Sequence, residues 1–210
     1  MTDGTFTVFL VDDDAGVLKA VSRLLRGRGY QVRPYASPRE FLAHHDADLP
    51  GCAVLDVAMP DLDGLALQET LTTGGAHRPV IFITGKGDIP TSVRAMKAGA
   101  VDFLTKPVGD KVLLDAVSRA VHQDALLRKV HAEVAAIRAK VETLTPRERE
   151  VLGHVVAGRL NKQIAGDLGT VEKTIKVHRS RMMEKLGVRT VADLVRLAER
   201  ADILRETDSS

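Results

Sequence analysis

The sequence of 210 residues predicts a doubly wound α/β domain with a five-stranded parallel sheet, joined by a long helix to an all-α domain of four helices. Three observations support this prediction. Short apolar runs alternate with helical patterns over about 105 residues. Neither Gly nor Pro occurs between Gly109 and Pro146, which allows one continuous helix. From Thr145 onward, four short helical patterns follow one another, separated by glycines.

The bulk composition indicates a globular protein, with 44% hydrophobic and 28% charged residues, enough for at least one core. The single cysteine, Cys52, excludes an internal disulfide and a thiolate zinc site within one chain. We interpret Cys52 as a small core residue. The sequence contains no apolar run long enough to span a membrane and no pattern typical of a secretion signal. We therefore expect a cytoplasmic protein without a membrane partner.

Charge is distributed unevenly along the chain. Residues 1–125 carry a net charge of −3, whereas residues 126–210 carry a net charge of +5. Such an imbalance favours an acidic module joined to a module that meets a polyanion.

The segments that we interpret as strands lie at residues 8–11, 30–35, 52–55, 80–83 and 101–104; residues 30–35 alternate weakly, and the others are apolar runs. Short continuous runs of this kind suit parallel strands that are covered on both faces. Helical patterns follow each of the first four strands. The second helical pattern opens with Ser37-Pro38, a typical N-cap followed by proline. This alternation predicts the doubly wound sheet.

Reactive side chains stand at the carboxyl ends of four strands: Asp12 and Asp13, Asp56, Thr84, and Lys106. These ends share one edge of a parallel sheet, where ligands gather. Three carboxylates repel one another unless a cation neutralises them, and oxygen ligands without His or Cys favour Mg²⁺. Lys106 offers a point charge and Thr84 a hydroxyl for phosphoryl oxygens. The pattern indicates a carboxylate nucleophile, a metal and a phosphate cradle, although Asp56 alone could simply cap a turn.

With these motifs, residues 1–124 resemble a response-regulator receiver domain, which has a flavodoxin-like fold. The matching positions are Asp12-Asp13, Asp56, Met59-Pro60-Asp61, Gly64, Thr84-Gly85, Ala98 to Phe103, and Lys106-Pro107. The resemblance implies that Asp56 accepts a phosphoryl group from a sensor histidine kinase. It implies Mg²⁺ held by Asp13, Asp56 and the carbonyl of Ala58, with Asp12 nearby. It also implies a switch pair, in which the Thr84 hydroxyl moves onto the phosphate and the Phe103 ring turns inward.

Residues 125–143 form the predicted linker, a helix continuous with the last helix of the receiver domain. Its apolar residues recur at alternating spacings of three and four, a heptad seam: Leu127, Val130, Val134, Ile137, Val141 and Leu144. The frame extends back through Asp124, its polar interruption, to Ala120, Val117 and Leu113. Two interpretations stay open, since the seam could mediate self-association or pack against a neighbouring domain.

Residues 144–210 form the predicted C-terminal domain. Thr145 to Glu148 has the pattern of a capping box, and we expect Asn161 to cap the second helix. Between Arg159 and Arg189 there are eight Lys and Arg residues against three acids. A short helix, a glycine turn and a basic helix are typical of a helix-turn-helix that contacts DNA phosphates. The alternative is a protein-binding module with a solvated basic face.

This segment resembles the DNA-binding domain of the LuxR, FixJ and NarL class, on the stretches at residues 144–152, 161–165 and 174–179. The resemblance implies a recognition helix at about residues 171–185 that binds double-stranded promoter DNA, with RNA polymerase as a further partner. It implies that Lys176, Val177 and Ser180 face base edges, and that Lys162, Thr174, Arg179 and Arg181 meet phosphates. Glu148 and His178 are interpreted as structural. Val171 occupies the position where the family often has a serine cap, and Thr170 is the alternative cap.

Together, the two modules most resemble FixJ-like regulators and predict a phosphorylation-gated transcription factor that forms a homodimer when phosphorylated. Two other classes of protein are weaker candidates. A phosphohydrolase would need a general acid, commonly a second aspartate two residues after Asp56, where this chain has Ala58. A regulator that responds to a small molecule would need an apolar ligand pocket, and none is evident in the sequence.

Overall fold

The computed structural model describes residues 6–74, 78–85 and 88–201. Two compact units make up the chain, Met1–Arg128 and Lys129–Ser210. The predicted domain ends at residues 1 and 210 lie outside the described residues. Within the described part, no helix combines the length and the apolar character needed to cross a membrane.

The first unit is built on five parallel strands in the order β2-β1-β3-β4-β5, which confirms the predicted doubly wound sheet. Its elements are β1 (Thr7–Val11), α1 (Ala15–Arg26), β2 (Gln31–Tyr35), α2 (Pro38–His44), β3 (Gly51–Asp56), α3 (Gly64–Thr73), β4 (Val80–Thr84), α4 (Ile89–Lys97), β5 (Asp102–Thr105) and α5 (Asp110–Glu142). Strands β1, β3 and β4 are buried at every position. Full burial explains why these runs are continuously apolar instead of alternating.

Alternate residues of the central strands enter two separate cores. Val54 and Ile81 pack with Leu25 of α1 and Leu113 of α5 on one face of the sheet. On the other face, strand side chains pack against α2, α3 and α4: Phe9, Leu55 and Phe82 with Phe41, Leu67 and Ala95. The sheet is therefore covered on both faces, as period-two side-chain alternation requires.

Glycine is needed where α3 begins. A Cβ built on Gly64 would lie 2.3 Å from the carbonyl oxygen of Asp56, too close for any side chain. The Gly64 amide also donates a hydrogen bond of 3.0 Å to the carbonyl of Val57. The first turn of α3 is thus fastened directly to the end of β3.

Helix α5 is continuous over 33 residues, as the absence of Gly and Pro predicts. The first part of the heptad seam is buried in the first unit: Leu113, Val117, Ala120 and Asp124. Val141 and Leu144 belong to the core of the second unit. Both ends of the seam therefore pack inside their own unit, and only its middle, from Leu127 to Ile137, remains for any other contact.

Asp124, the polar interruption of the seam, has a defined partner. Its carboxylate lies 2.9 Å from the Nε atom of Arg128, one helical turn later. Arg128 also donates to the carbonyls of Asp48 and Leu49 before β3. The buried carboxylate is therefore paired, as burial of a charge requires.

In the described part of the second unit, four helices follow the end of α5 and pack with it around one aliphatic core, in agreement with the predicted all-α domain: α6 (Pro146–Val156), α7 (Asn161–Asp167), α8 (Glu172–Leu186) and α9 (Val191–Arg200). The predicted capping box is present, since Thr145 Oγ1 accepts from the Glu148 amide and Glu148 Oε2 accepts from the Thr145 amide. Gly187 ends α8 with a φ of 73°, a left-handed conformation that glycine adopts without strain.

Two predicted caps are wrong. Asn161 is the first residue of α7, and its side-chain oxygen accepts from Arg179 instead of capping the helix. The amide of Leu160, the residue before α7, donates to Gln163 Oε1. Helix α8 begins at Glu172 after Val171, without a side-chain cap from Thr170.

Candidate functional site

An acidic cluster lies at the carboxyl edge of the sheet. Strands β1 and β3 are neighbours in register, with Val11 beside Leu55, so the residues that follow them reach the same level. Carboxylate oxygens of Asp12, Asp13 and Asp56 lie within 4.8 Å of one another. Asp12 and Asp56 are buried, whereas Asp13 is exposed. The topology thus brings together the three acids that the sequence singles out.

Lys106 faces this cluster from the end of β5. Its Nζ atom donates a hydrogen bond of 2.7 Å to Asp12 Oδ2 and lies 3.2 Å from Asp56 Oδ1. Its backbone amide donates to the carbonyl of Thr84 at the end of β4. One cation therefore bridges the two buried carboxylates, at the edge where the strand-end pattern predicts that these groups converge.

Burial and charge pull the pKa values of these groups in opposite directions. Burial raises the pKa of Asp12 above its ordinary value, and the hydrogen bond from Lys106 offsets part of this effect. Burial by itself would lower the pKa of Lys106, but the hydrogen bond to Asp12, the close approach of Asp56 and the charges of both carboxylates outweigh it and raise that pKa. Lys106 therefore stays protonated at neutral pH.

The cluster suits a divalent cation. Within the described residues, the buried Asp56 Oδ1 atom has no hydrogen-bond partner, because its approach to Lys106 lacks hydrogen-bond geometry. An unsatisfied carboxylate oxygen in an all-oxygen donor set fits a hard ion. Lys106 supplies one positive charge against three carboxylates, so an excess of negative charge remains. Ala58 lies in the bend two residues beyond Asp56.

Thr84 and Phe103, the predicted switch pair, lie on the neighbouring strands. Asp56 pairs in register with Ile83, which places Thr84 one residue further along β4 at the same edge of the sheet. Thr84 is fully buried. Phe103 is half-buried on β5, and its ring centroid lies 6.1 Å from that of Phe82. The aromatic ring therefore already contacts the core.

The outer face of α8 carries most of the predicted DNA contacts. Four of the predicted residues are exposed on this helix: Lys176, Val177, Ser180 and Arg181. Lys162 is exposed on α7, whereas Thr174 is half-buried. Lys173 is not among the predicted contact residues, but it is exposed on the same face of α8. Its spacing of three residues from Lys176 and four from Val177 is the sequence signal that places it on this face.

Two predicted contact residues already have protein partners. Arg179 is half-buried, and its Nη1 atom donates a hydrogen bond of 2.9 Å to Asn161, which links α7 to α8. Lys176 lies 3.1 Å from Glu172, four residues earlier on the exposed face. Such a surface pair is weak and can exchange partners. Arg179, in contrast, holds the two helices of the motif together.

Glu148, at the start of α6, contacts the end of α8 on its buried side, as expected for a residue with a structural role. Its buried carboxylate lies 2.6 Å from Lys185 Nζ. The hydrogen bond from Lys185, together with that from the Thr145 amide, lowers the pKa of Glu148. Lys185 also donates to the carbonyl of Thr143. These contacts tie the end of α8 to the start of α6.

Comparison with known families assigns each unit. The model of the "Response regulator receiver domain" matches residues 8–118, and that of the "Bacterial regulatory proteins, luxR family" matches residues 142–198. Nodulation protein W of Bradyrhizobium diazoefficiens is 45% identical over 192 residues, which are 91% of this chain and 85% of that protein. Response regulator protein TmoT of Ectopseudomonas mendocina is 42% identical over 200 residues, 95% of this chain and 91% of that protein.

Solved structures agree with this assignment. The structure of the response regulator StyR matches with a TM-score of 0.74 at 44% identity and covers 94% of this chain and 100% of that one. Full-length FixJ from B. japonicum matches with a TM-score of 0.56 at 37% identity and covers 96% of this chain and 99% of that one. The likeness therefore extends over nearly the whole chain.

Proposed function

Because this chain belongs to the response regulators with a receiver domain and a luxR-family DNA-binding domain, we propose that phosphorylation of Asp56 controls its binding to promoter DNA. The chain is a phosphorylation-dependent transcriptional regulator and not a classical enzyme. Its receiver domain implies a kinase partner, and its second domain implies DNA binding. The observation that supports Asp56 most directly is its buried carboxylate, which shares Lys106 with Asp12.

Asp56 acts as the nucleophile. A carboxylate oxygen of Asp56 attacks the phosphorus of a phosphohistidine on the sensor kinase; the new O–P bond forms as the P–N bond breaks, and the histidine nitrogen leaves with the electron pair. Asp12, Asp13, Asp56 and the carbonyl of Ala58 would hold Mg²⁺, which when bound neutralises charge on the transferred group. Lys106 donates hydrogen bonds to the phosphoryl oxygens. Slow hydrolysis of the aspartylphosphate resets the protein.

The phosphorylated site then alters the neighbouring strands. The phosphoryl group adds a charge of about −2 and three acceptor oxygens beside β4. Thr84 donates its hydroxyl to one of these oxygens, and Phe103 repacks over the space that Thr84 leaves. This coupling joins a local charge change to two adjacent elements.

The second unit carries the output. Lys176, Val177 and Ser180 face base edges in the major groove, while Lys162, Thr174 and Arg181 contact phosphates, with Arg179 contributing from its position beside Asn161. Phosphorylation favours a homodimer, whose two recognition helices reach half-sites about one DNA turn apart. The bound dimer then engages RNA polymerase. The domain limits proposed for this division of labour are residues 1–124, 125–143 and 144–210, in a cytoplasmic protein.

The acceptor assignment is tested with Asp56→Asn in the full chain, incubated with acetyl phosphate and Mg²⁺. Phosphate-affinity electrophoresis should show no phosphorylated form, because the amide is not a nucleophile. Asp61→Asn is a matched control, since Asp61 is an exposed acid five residues on and its φ of 66° is tolerated by asparagine. Unchanged labelling of Asp56→Asn, or equal loss in both variants, would overturn the assignment.

A further inference from the structure

A cleft in the first unit lies between α1 and the start of α5. Its volume is about 850 Å³, and it reaches from the surface of α1 down to Ile83 of β4. This volume lies in the range of small-molecule sites. Apolar side chains form most of its walls: Val17, Val21, Leu24, Val108 and Leu113. No local sequence pattern indicates this pocket, because its walls come from segments as far apart in the chain as Val17 and Leu113.

Two arginines, Arg23 and Arg28, line this cleft in addition to Lys106. Within the described residues, neither guanidinium has an ion pair or a side-chain hydrogen bond, while the other arginine of the last turn of α1, Arg26, donates to the carbonyl of Val32. Cations at the end of a helix do complement its dipole. That effect accounts for the charge of the two residues but not for their position at the mouth of an apolar space.

The remaining charges at the cleft are accounted for. Lys106 bridges Asp12 and Asp56, so these two carboxylates already neutralise its charge. Asp110 is the first residue of α5, where an acid stabilises the helix N-terminus. The charge at the cleft that has no partner among the described residues is therefore net positive, with Arg23 and Arg28 against the single acid Asp110.

We propose that this cleft binds a small amphipathic anion, with an apolar body between α1 and α5 and a carboxylate held by Arg23 and Arg28. The apolar walls supply the affinity, since removing apolar surface from water is favourable. The guanidinium groups supply the selectivity, because they match carboxylate geometry. The cleft adjoins the acidic cluster at Lys106, but the proposed ligand is held by Arg23 and Arg28, and its binding does not require phosphorylation.

The test uses the full chain and decanoate, with decanol and decyltrimethylammonium as probes of equal chain length, all below the concentration at which they form micelles. Isothermal titration calorimetry should show that decanoate binds more tightly than decanol and that the cation binds most weakly. The double variant Arg23→Gln/Arg28→Gln should lower the affinity for decanoate about fivefold and leave that for decanol unchanged. Arg33→Gln, an exposed arginine of β2 outside the cleft, is the charge control.

The location is tested with Ala20→Phe, because Ala20 is an exposed residue of α1 that lines the cleft, and a phenyl ring there fills it without disturbing the core. This variant should abolish binding of decanoate and decanol alike. Undiminished binding in Ala20→Phe would place the ligand elsewhere and overturn the proposal. Equal affinity for all three probes, or no binding of decanoate, would overturn it as well. The measurements need neither Mg²⁺ nor a phosphodonor, so their outcome is independent of the role of Asp56.

Discussion

The acidic edge of the sheet and the outer face of α8 handle charge in opposite ways. At the sheet edge, buried carboxylates and one lysine are held at fixed distances by strand ends, with Lys106 within 3.2 Å of both Asp12 and Asp56. On α8, Lys176 and Arg181 stand in solvent, and Lys176 has only a surface pair with Glu172. Desolvated charges interact strongly and specifically, whereas exposed ones are screened and act together. The first arrangement suits chemistry at one atom, and the second suits a polyanion.

The largest effect is expected at the buried edge. Lys106→Met should slow phosphorylation by acetyl phosphate about 100-fold, the usual cost of removing one positioned electrostatic donor. Phosphate-affinity electrophoresis over time gives the rate. Lys111→Met, on the exposed side of α5, should leave the rate unchanged. A phosphorylation rate for Lys106→Met within twofold of that of the unmodified protein would show that a single buried charge is not decisive at the sheet edge, and the proposed difference between the two regions would be wrong.

Glu148 tests whether a buried charge behaves alike in both units. Its lowered pKa means that the ionised form stabilises the folded state above the ordinary pKa of 4.5, and that this stabilisation is lost as the pH falls through the lower pKa of the folded state. Glu148→Gln should therefore destabilise the second unit by about 2 kcal/mol at neutral pH and flatten its loss of stability in acid. Hydrogen exchange of α6 and α8 by mass spectrometry measures both.

The contrary result for Glu148 is equally clear. If Glu148→Gln exchanges as slowly as the unmodified chain at neutral pH and shows the same decline in acid, the pair with Lys185 does not support α8. Glu150→Gln is the control, because Glu150 is an exposed acid on the same helix.

The smallest effects are expected on the exposed face. Lys176→Ala should weaken binding to a DNA site selected from a random pool about tenfold and affect unrelated DNA much less, since a base contact contributes about 1–3 kcal/mol of discrimination. Arg181→Ala should weaken both and lower the salt slope by about one. Fluorescence anisotropy at several salt concentrations separates the two. Arg196→Ala on α9 is the control, and identical behaviour of Lys176→Ala and Arg181→Ala would refute the division between base and phosphate contacts.

The sequence predicts the sheet and its acidic edge well because both follow from short-range patterns. Continuous apolar runs identify β3 and β4, and parallel topology alone brings Asp12, Asp56 and Lys106 to one edge. Contacts between distant side chains leave no such pattern. The bond from Arg179 to Asn161 joins residues 18 positions apart, and nothing in the sequence distinguishes Asn161 from an ordinary cap.

The packing of the heptad seam could not be predicted for the same reason, since it depends on contacts between distant side chains. Its spacing is regular, but a regular apolar spacing does not say which surface covers it. Leu113 and Val117 pack in the first unit, Val141 in the second, and Asp124 is paired within its own helix. The position that looked like a defect in a coiled coil is therefore a satisfied buried charge.

The close fit of Gly64 against the carbonyl of Asp56 also limits which amino-acid substitutions this position can accept during evolution. Since even a methyl group at Gly64 would collide with the backbone of Asp56, no side chain is a neutral replacement there. Exposed positions of α8 such as Lys173 and Ser180 meet no comparable limit, so under the proposed function new DNA preferences can arise there by single substitutions. The proposed DNA contacts can therefore change more freely than the turn that joins β3 to α3.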